Sequence, residues 1–112
     1  MPENQLKHEY DEACIMFEEQ THLYDLACKN YPELYDNVQN AENDVSCADI
    51  ALEYAMMNNI DTTEAENKLN YAKCQYQDLL FQMNSLVPQA YENKVYAELR
   101  YVTARRAYYR SL

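Results

Sequence analysis

The sequence predicts an all-α protein that folds as a single domain over residues 1–112, in an antiparallel up-down-up-down four-helix bundle. Glycine is absent and proline occurs three times, so tight hairpins and glycine-built phosphate loops lack the residues that form them. Apolar residues recur at alternating spacings of three and four, which is typical of helices that bury one face. A competing architecture is a long helical hairpin that assembles as a coiled-coil-like dimer, because sustained heptads also suit packing between chains.

Helices one and two are predicted over residues 3–29 and 32–57. The segment Asn30-Tyr31-Pro32 separates them, because the residue before a proline disfavours the α region and a proline suits the first turn of a helix. The apolar seam of helix one comprises Leu6, Tyr10, Ala13, Phe17, Tyr24 and Ala27, with a lapse at Gln20. The seam of helix two comprises Leu34, Val38, Ala41, Val45, Ala48, Leu52 and Ala55.

Helices three and four are predicted over residues 61–87 and 88–112. Asp61-Thr62-Thr63-Glu64 can form a capping box at the start of helix three, and Pro88 marks its end. Its seam comprises Ala65, Leu69, Ala72, Tyr76, Leu79, Met83 and Leu86. The seam of helix four comprises Val95, Leu99, Val102 and Tyr109, interrupted by Arg106. Because the connections are short, successive helices should be antiparallel.

The formal net charge of −10 opposes the approach of nucleic acid or of an anionic membrane, so we expect a protein partner with a basic surface. No stretch approaches the roughly 20 apolar residues that span a bilayer, and the N-terminus has no basic region followed by an apolar run. The four cysteines are scattered along the chain, which favours reduced thiols in an unexported, cytoplasmic protein.

Metal binding and nucleophilic catalysis find little support in the sequence. Glu19 and His22 have the spacing of two ligands on one helix face, but the only other histidine, His8, lies on the same helix about 21 Å away. No cysteine lies beside a histidine on a predicted face, as an activated thiolate requires. We therefore predict no catalytic residue, no metal and no cofactor, and the protein is not expected to be an enzyme.

An acidic face is predicted on helix one. With the seam turned inward, Asp11, Glu18 and Asp25 align along the outer surface at intervals of about 10.5 Å, and Glu12 and Glu19 lie beside them. Most such rows are solvated surfaces. The functional interpretation is that these carboxylates imitate a nucleic-acid backbone and bind a basic groove on a partner.

Charge is unevenly divided along the chain. Residues 1–91 carry 4 basic and 17 acidic side chains, and residues 92–112 carry 5 basic and 2 acidic ones. In an antiparallel bundle, the end of helix four lies near the starts of helices one and three. Arg105, Arg106 and Arg110 are therefore expected to face the carboxylates of Glu3, Glu9, Asp61, Glu64 or Glu66.

Apolar residues also fall outside the predicted seams, on the outer surface of the bundle. Such residues either widen the buried stripe of each helix or form a contact for self-association or for a partner. The residues assigned to this outer contact are Tyr71, Cys74, Phe81, Tyr101 and Tyr108.

These features favour a small acidic protein-binding module that also has the means to form a homodimer. By analogy of charge and size with nucleic-acid mimics and phage counter-defence proteins, its expected role is to inhibit a partner by occupying a basic nucleic-acid-binding surface. The alternatives are a structural or scaffolding homo-oligomer and, in a different class, an enzyme with an unrecognised site.

Overall fold

The computed structural model describes residues 2–112, which form two α-helices and no strand. Helix α1 spans Glu3–Met57 and helix α2 spans Thr63–Ser111. The all-α class is therefore confirmed. The four-helix bundle is wrong, because predicted helices one and two are one continuous helix, and so are helices three and four. The chain is a helical hairpin, as in the competing architecture, while assembly into a dimer stays a prediction.

Pro32 and Pro88 lie inside the helices and do not separate them. A proline in a helix interior removes one backbone donor and costs about 3 kcal/mol. Both prolines are exposed, as are Cys28 and Asn84, whose carbonyl groups lose that donor, so water can replace the missing hydrogen bond. Tyr31 also continues the apolar spacing across Pro32. Packing on both sides of each proline therefore outweighs the local cost.

The chain divides into two compact units. One unit, here called the aromatic unit, combines the residues up to Lys29 with Leu86–Leu112. The other, here called the alanine unit, comprises Asn30–Ser85. Each unit contains a stretch of α1 and a stretch of α2, and the prediction of a single domain stays a prediction.

Aromatic rings pack between the two helices of the aromatic unit. The ring pairs and their centroid distances are Tyr10–Tyr101 at 5.7 Å, Tyr10–Tyr108 at 5.7 Å, Tyr10–Tyr109 at 5.9 Å, Phe17–Tyr101 at 5.5 Å and Tyr24–Tyr91 at 5.7 Å. Residue numbers fall along α2 as they rise along α1, so the helices of this unit are antiparallel. Each such pair contributes about 0.5–1.5 kcal/mol beyond its buried area.

The buried face of α2 in the aromatic unit differs by about one residue from the predicted seam. Ala97 is 4% exposed, and Tyr101, Ala104 and Tyr108 are half-buried. The predicted seam residue Leu99 is 60% exposed. One residue rotates a helix face by about 100°, and this rotation gives two large rings to the contact. The prediction that Tyr101 and Tyr108 lie on the outer surface is therefore wrong.

Mainly aliphatic side chains, many of them alanines, pack between the helices of the alanine unit. Val38, Ala41, Ala55 and Leu69 are buried. The other predicted seam residues of helix two, and those of helix three up to Met83, are half-buried. The predicted seams are thus confirmed in this unit, where alanines allow the helix backbones to approach closely.

The connection between α1 and α2 depends on an asparagine in place of glycine. Asn59 has a positive φ of 54°. The Ile60 N–H donates to the Ala55 carbonyl at 2.9 Å, and the Asn59 N–H donates to the Met56 carbonyl at 3.4 Å. This is the Schellman arrangement, in which asparagine is the usual substitute for glycine.

Asp61 caps the start of α2, as predicted. Its Oδ1 accepts the Thr63 N–H at 3.0 Å and the Thr63 hydroxyl at 2.8 Å, and this hydrogen bonding lowers the pKa of Asp61, the backbone contact having the largest effect. The second half of the predicted capping box is wrong, because Glu64 pairs with Lys68 at 3.0 Å instead of reaching back to the cap.

Candidate binding surfaces

The five residues of the predicted acidic face are all exposed. Helical spacing places Asp11, Glu18 and Asp25 in one row and Glu12 and Glu19 in a neighbouring row. Within residues 2–112, no lysine or arginine lies within ion-pair distance of these carboxylates. Glu12 contacts His8 at 3.0 Å, and Glu18 accepts a weak contact from the Cys14 Sγ at 3.7 Å. The row of Asp11, Glu18 and Asp25, here called the acidic row, is therefore open to a partner.

The acidic row carries charge at a regular spacing that is wider than that of a nucleic-acid strand. Its three carboxylates, Asp11, Glu18 and Asp25, lie about 10.5 Å apart along α1. A single DNA strand carries one charge per about 3.4 Å. The spacing of the row therefore corresponds to about every third phosphate of a strand.

The basic residues of α2 do not pair with the carboxylates expected for them. Arg105 lies over the Tyr101 ring at 5.3 Å, and Lys94 lies over the Tyr24 ring at 4.9 Å. The ion pairs found among the described residues are His8–Glu12 and Glu64–Lys68. The expected pairing of Arg105, Arg106 and Arg110 with Glu3, Glu9, Asp61, Glu64 or Glu66 is thus wrong, because aromatic packing holds Arg105 on the inner side of α2.

A groove of about 500 Å³ lies along one side of the aromatic unit. Its lining residues are Glu9, Glu12, Leu99, Arg100, Thr103, Ala104 and Ala107. We call this side the groove flank. Arg100 also donates to the Met16 Sδ at 3.5 Å, which places Met16 on the same flank.

The residues assigned to an outer apolar contact do not form one surface. Tyr71, Cys74 and Phe81 belong to the alanine unit and are exposed, with Phe81 at 73%. Tyr101 and Tyr108 belong to the aromatic unit and pack against Tyr10. Tyr71, Cys74 and Phe81 are therefore the members of this set that stay available on the surface.

The tyrosine cluster changes the acidity of its central member. The neighbouring hydroxyl of Tyr109 has the largest effect, followed by that of Tyr101 and by partial burial, and together they raise the pKa of Tyr10. Neutral Tyr10 is thus favoured by its surroundings. Tyr10 packs against three rings of α2, those of Tyr101, Tyr108 and Tyr109.

Most of the net charge lies on the alanine unit. Residues 30–85 carry 10 acidic and 2 basic side chains, a net charge of −8, whereas the aromatic unit carries 9 acidic and 7 basic ones, a net charge of −2. The alanine unit also has a groove whose lining combines alanines with polar side chains; the lining residues are Ala41, Asp44, Ala48, Lys68, Tyr71, Ala72 and Gln75. Its surface is thus acidic around small apolar depressions.

The cysteines and histidines supply no assembled chemical site in the part of the chain that is described. No group of three histidine, cysteine or carboxylate side chains there could hold a metal ion. Cys14 is half-buried, and Cys28, Cys47 and Cys74 are exposed. Burial and the Glu18 carboxylate raise the pKa of the Cys14 thiol, which opposes formation of a thiolate.

Sequence reasoning missed the apolar and basic residues of the groove flank. The spacing of valine and leucine predicts that Leu99 is buried, and it predicts no role for Arg100. A second series with regular helical spacing marks the face that is buried instead and so leaves Leu99 and Arg100 outside; it consists of Ala90, Lys94, Ala97, Tyr101, Ala104 and Tyr108. This second series contains no branched apolar residue, so its apolar signal is the weaker of the two.

Comparison with protein-family models, with curated proteins and with solved structures gives no match for this chain. Within residues 2–112, neither helix has a stretch that is apolar enough over sufficient length to cross a membrane.

Proposed function

We propose that the protein is a small acidic binding module that recognises a basic surface on another protein, and that this surface is one that binds nucleic acid. The observation that carries the proposal is the acidic row of Asp11, Glu18 and Asp25, which is exposed and is paired with no lysine or arginine within residues 2–112. Occupation of such a surface would inhibit the partner, as expected of a nucleic-acid mimic.

Electrostatics supports this choice of partner. The net charge of −10 attracts a basic surface over a distance of about one Debye length, which is near 8 Å at physiological salt. The helix already orders the backbone that carries these carboxylates, so binding has to order only their side chains. Complementary charge raises the association rate and disfavours acidic partners. The acidic row would therefore both accelerate binding to a basic surface and select it over acidic ones.

The test begins with capture of the partner from a lysate of the source organism on immobilised wild-type protein. The captured protein is then titrated with labelled nucleic acid, and wild type competes at two salt concentrations. We expect wild type to displace the nucleic acid, and to do so less well at higher salt, because exposed charges are screened.

The variant that tests the row is Asp11→Asn, Glu18→Gln, Asp25→Asn, which removes three charges and leaves the seam intact. A matched control is Asp36→Asn, Glu42→Gln, Asp49→Asn, which removes three exposed charges from α1 within the alanine unit. The row variant should compete more weakly than this control. Equal competition by the two variants, or binding of wild type beside the nucleic acid, would reject the proposal.

A further inference from the structure

The groove flank of the aromatic unit exposes several large apolar side chains. Leu99 and Tyr96 on α2 are 60% and 65% exposed, and Leu23 on α1 is 50% exposed. Leu23 follows Met16 by seven residues, and Tyr96 precedes Thr103 by seven, so helical spacing places both on the groove flank. An apolar strip contributed by both helices therefore borders the groove.

The aromatic unit also buries few large side chains. Its buried apolar residues are the alanines Ala13, Ala27 and Ala97. No large side chain within residues 2–112 is fully buried. Two helices in contact along one seam leave most of their surface exposed, and domains usually add a further packed layer. An additional layer is thus the natural complement of this flank.

The charges of the groove flank have opposite sign on its two helices. On α1, Glu9 and Glu12 line the groove, and Glu19 follows Glu12 by seven residues. On α2, Arg100 lines the groove, and Arg110 follows Thr103 by seven residues. Within residues 2–112, Arg100 and Arg110 form no ion pair, and the partner of Glu12 is His8 on its own helix.

We propose that the groove flank binds a second copy of this chain. The two aromatic units then form two layers of two helices each, packed face to face. A two-fold axis parallel to the helices places α1 of each copy on α2 of the other. Because this axis preserves height along the helices, Glu19, which is close to Met16, comes level with Arg100 of the second copy. Glu9, which shares the groove with Ala107, comes level with Arg110 of the second copy.

Charge complementarity selects a second copy as the occupant. A wholly basic partner would repel the arginines of α2, and a wholly acidic partner would repel the glutamates of α1. A second copy presents both signs in the reverse order, so that each contact occurs twice. Tyr96 and Leu99 of one copy then pack with Leu23 and Met16 of the other, and apolar area leaves water.

Charge reversal on each helix tests this arrangement. One variant carries Arg100→Glu and Arg110→Glu, and the other carries Glu9→Arg and Glu19→Arg. In a dimer of either variant alone, like charges face each other in both of the symmetry-related contacts between α1 of one copy and α2 of the other. In an equal mixture, opposite charges are restored in both halves. The measurement is molar mass by light scattering coupled to gel filtration, where the monomer has a mass of 13.3 kDa.

We expect wild type at about 100 µM, well above a micromolar Kd, to have twice the monomer mass. In a dilution series from that concentration, each charge variant alone should dissociate with a Kd raised at least tenfold, and the mixture should recover the Kd of wild type. Leu99→Glu should also yield a monomer, whereas Ile15→Glu, a change at an exposed residue of α1 outside the flank, should not. If circular dichroism shows that a charge variant fails to fold, the comparison of Leu99→Glu with Ile15→Glu tests the proposal instead.

A monomeric wild type would overturn the proposal. So would charge variants that dimerise as tightly as wild type, since the contact would then lie on another surface. Failure of the mixture to recover the dimer would overturn the pairing of α1 with α2 of the second copy. The acidic row is left exposed by this dimer, so partner binding and self-association can fail independently.

Discussion

The aromatic unit and the alanine unit differ in whether aromatic rings meet across the helical seam. In the aromatic unit, Tyr10, Phe17 and Tyr101 meet ring against ring. In the alanine unit, the buried residues are Val38, Ala41, Ala55 and Leu69. Alanines are buried in both units, and the ring contacts are what the aromatic unit adds. Removal of a ring should therefore damage the first unit, and addition of bulk at a buried alanine should damage the second.

The units also differ in charge, with consequences for their partners. The alanine unit has a net charge of −8 and would repel a second copy of itself. The aromatic unit has a net charge of −2, with basic residues on α2 and acidic residues on α1, so it can complement a second copy. The net charge of the aromatic unit does not reveal this difference between its helices, because the charges of α1 and α2 largely cancel in the sum.

The largest effect is expected from Tyr101→Ala, which removes the ring between Tyr10 and Phe17. Loss of a half-buried ring with two aromatic contacts should lower the free energy of unfolding by about 2–3 kcal/mol. The measurement is urea unfolding followed by circular dichroism. Tyr71→Ala, at an exposed tyrosine of the alanine unit, should change the free energy by less than about 0.5 kcal/mol.

Hydrogen exchange would localise the effect of Tyr101→Ala. Amides in residues 3–29 and 86–111 should exchange faster, while those in residues 30–85 should change less. Equal acceleration of exchange throughout the chain would mean that the two units unfold as one. The free energy of unfolding could then not be divided between them.

The second effect concerns added bulk in the alanine unit. Ala41 is 7% exposed, so Ala41→Leu should lower the free energy of unfolding by about 1–3 kcal/mol, because the helices must separate to admit the new side chain. Ala51→Leu, at an exposed alanine of the same helix, is the matched control and should be nearly neutral. Tolerance of leucine at Ala41 would show that the alanine seam is loosely packed.

A smaller effect is expected from Asp61→Ala, which removes the cap at the start of α2. Thr63 lowers the pKa of Asp61 through its N–H and hydroxyl, so the cap is fully stabilising above the ordinary pKa of about 4 and is lost as the pH falls through the lowered value. Wild type should melt a few degrees above the variant at neutral pH. The two melting temperatures should converge in acid, and a constant difference would contradict the role of the charge.

The smallest effect at neutral pH is expected from Tyr10→Phe, which keeps the ring and removes the hydroxyl. The raised pKa of Tyr10 means that its neutral form stabilises the fold fully below the ordinary pKa of about 10, and that this contribution is lost as the pH rises beyond it. The melting temperature of wild type should therefore fall more steeply above about pH 10 than that of Tyr10→Phe. Tyr71→Phe, with its ring outside the cluster, should follow wild type.

The apolar spacing in the sequence indicates one continuous helix α1, although the four-helix prediction divides it at Pro32. From Leu6 to Ala55 the spacing of three and four is unbroken once Gln20 and Tyr31 are included, as expected of a single helix. Pro32 predicts a break when it is considered alone, because a proline in a helix interior costs about 3 kcal/mol. That cost is small beside the packing of a 55-residue helix.

The amino-acid sequence by itself determined the helical class, the position of the connection and the seams of the alanine unit, because these depend on local preferences and on periodicity. Only the tertiary structure decided that both prolines lie within helices and that Tyr101 and Tyr108 face α1. Two faces of α2, one residue apart, were each apolar enough to be buried. The choice between them required the partner helix, since Tyr10 and Phe17 provide the rings against which the tyrosines pack.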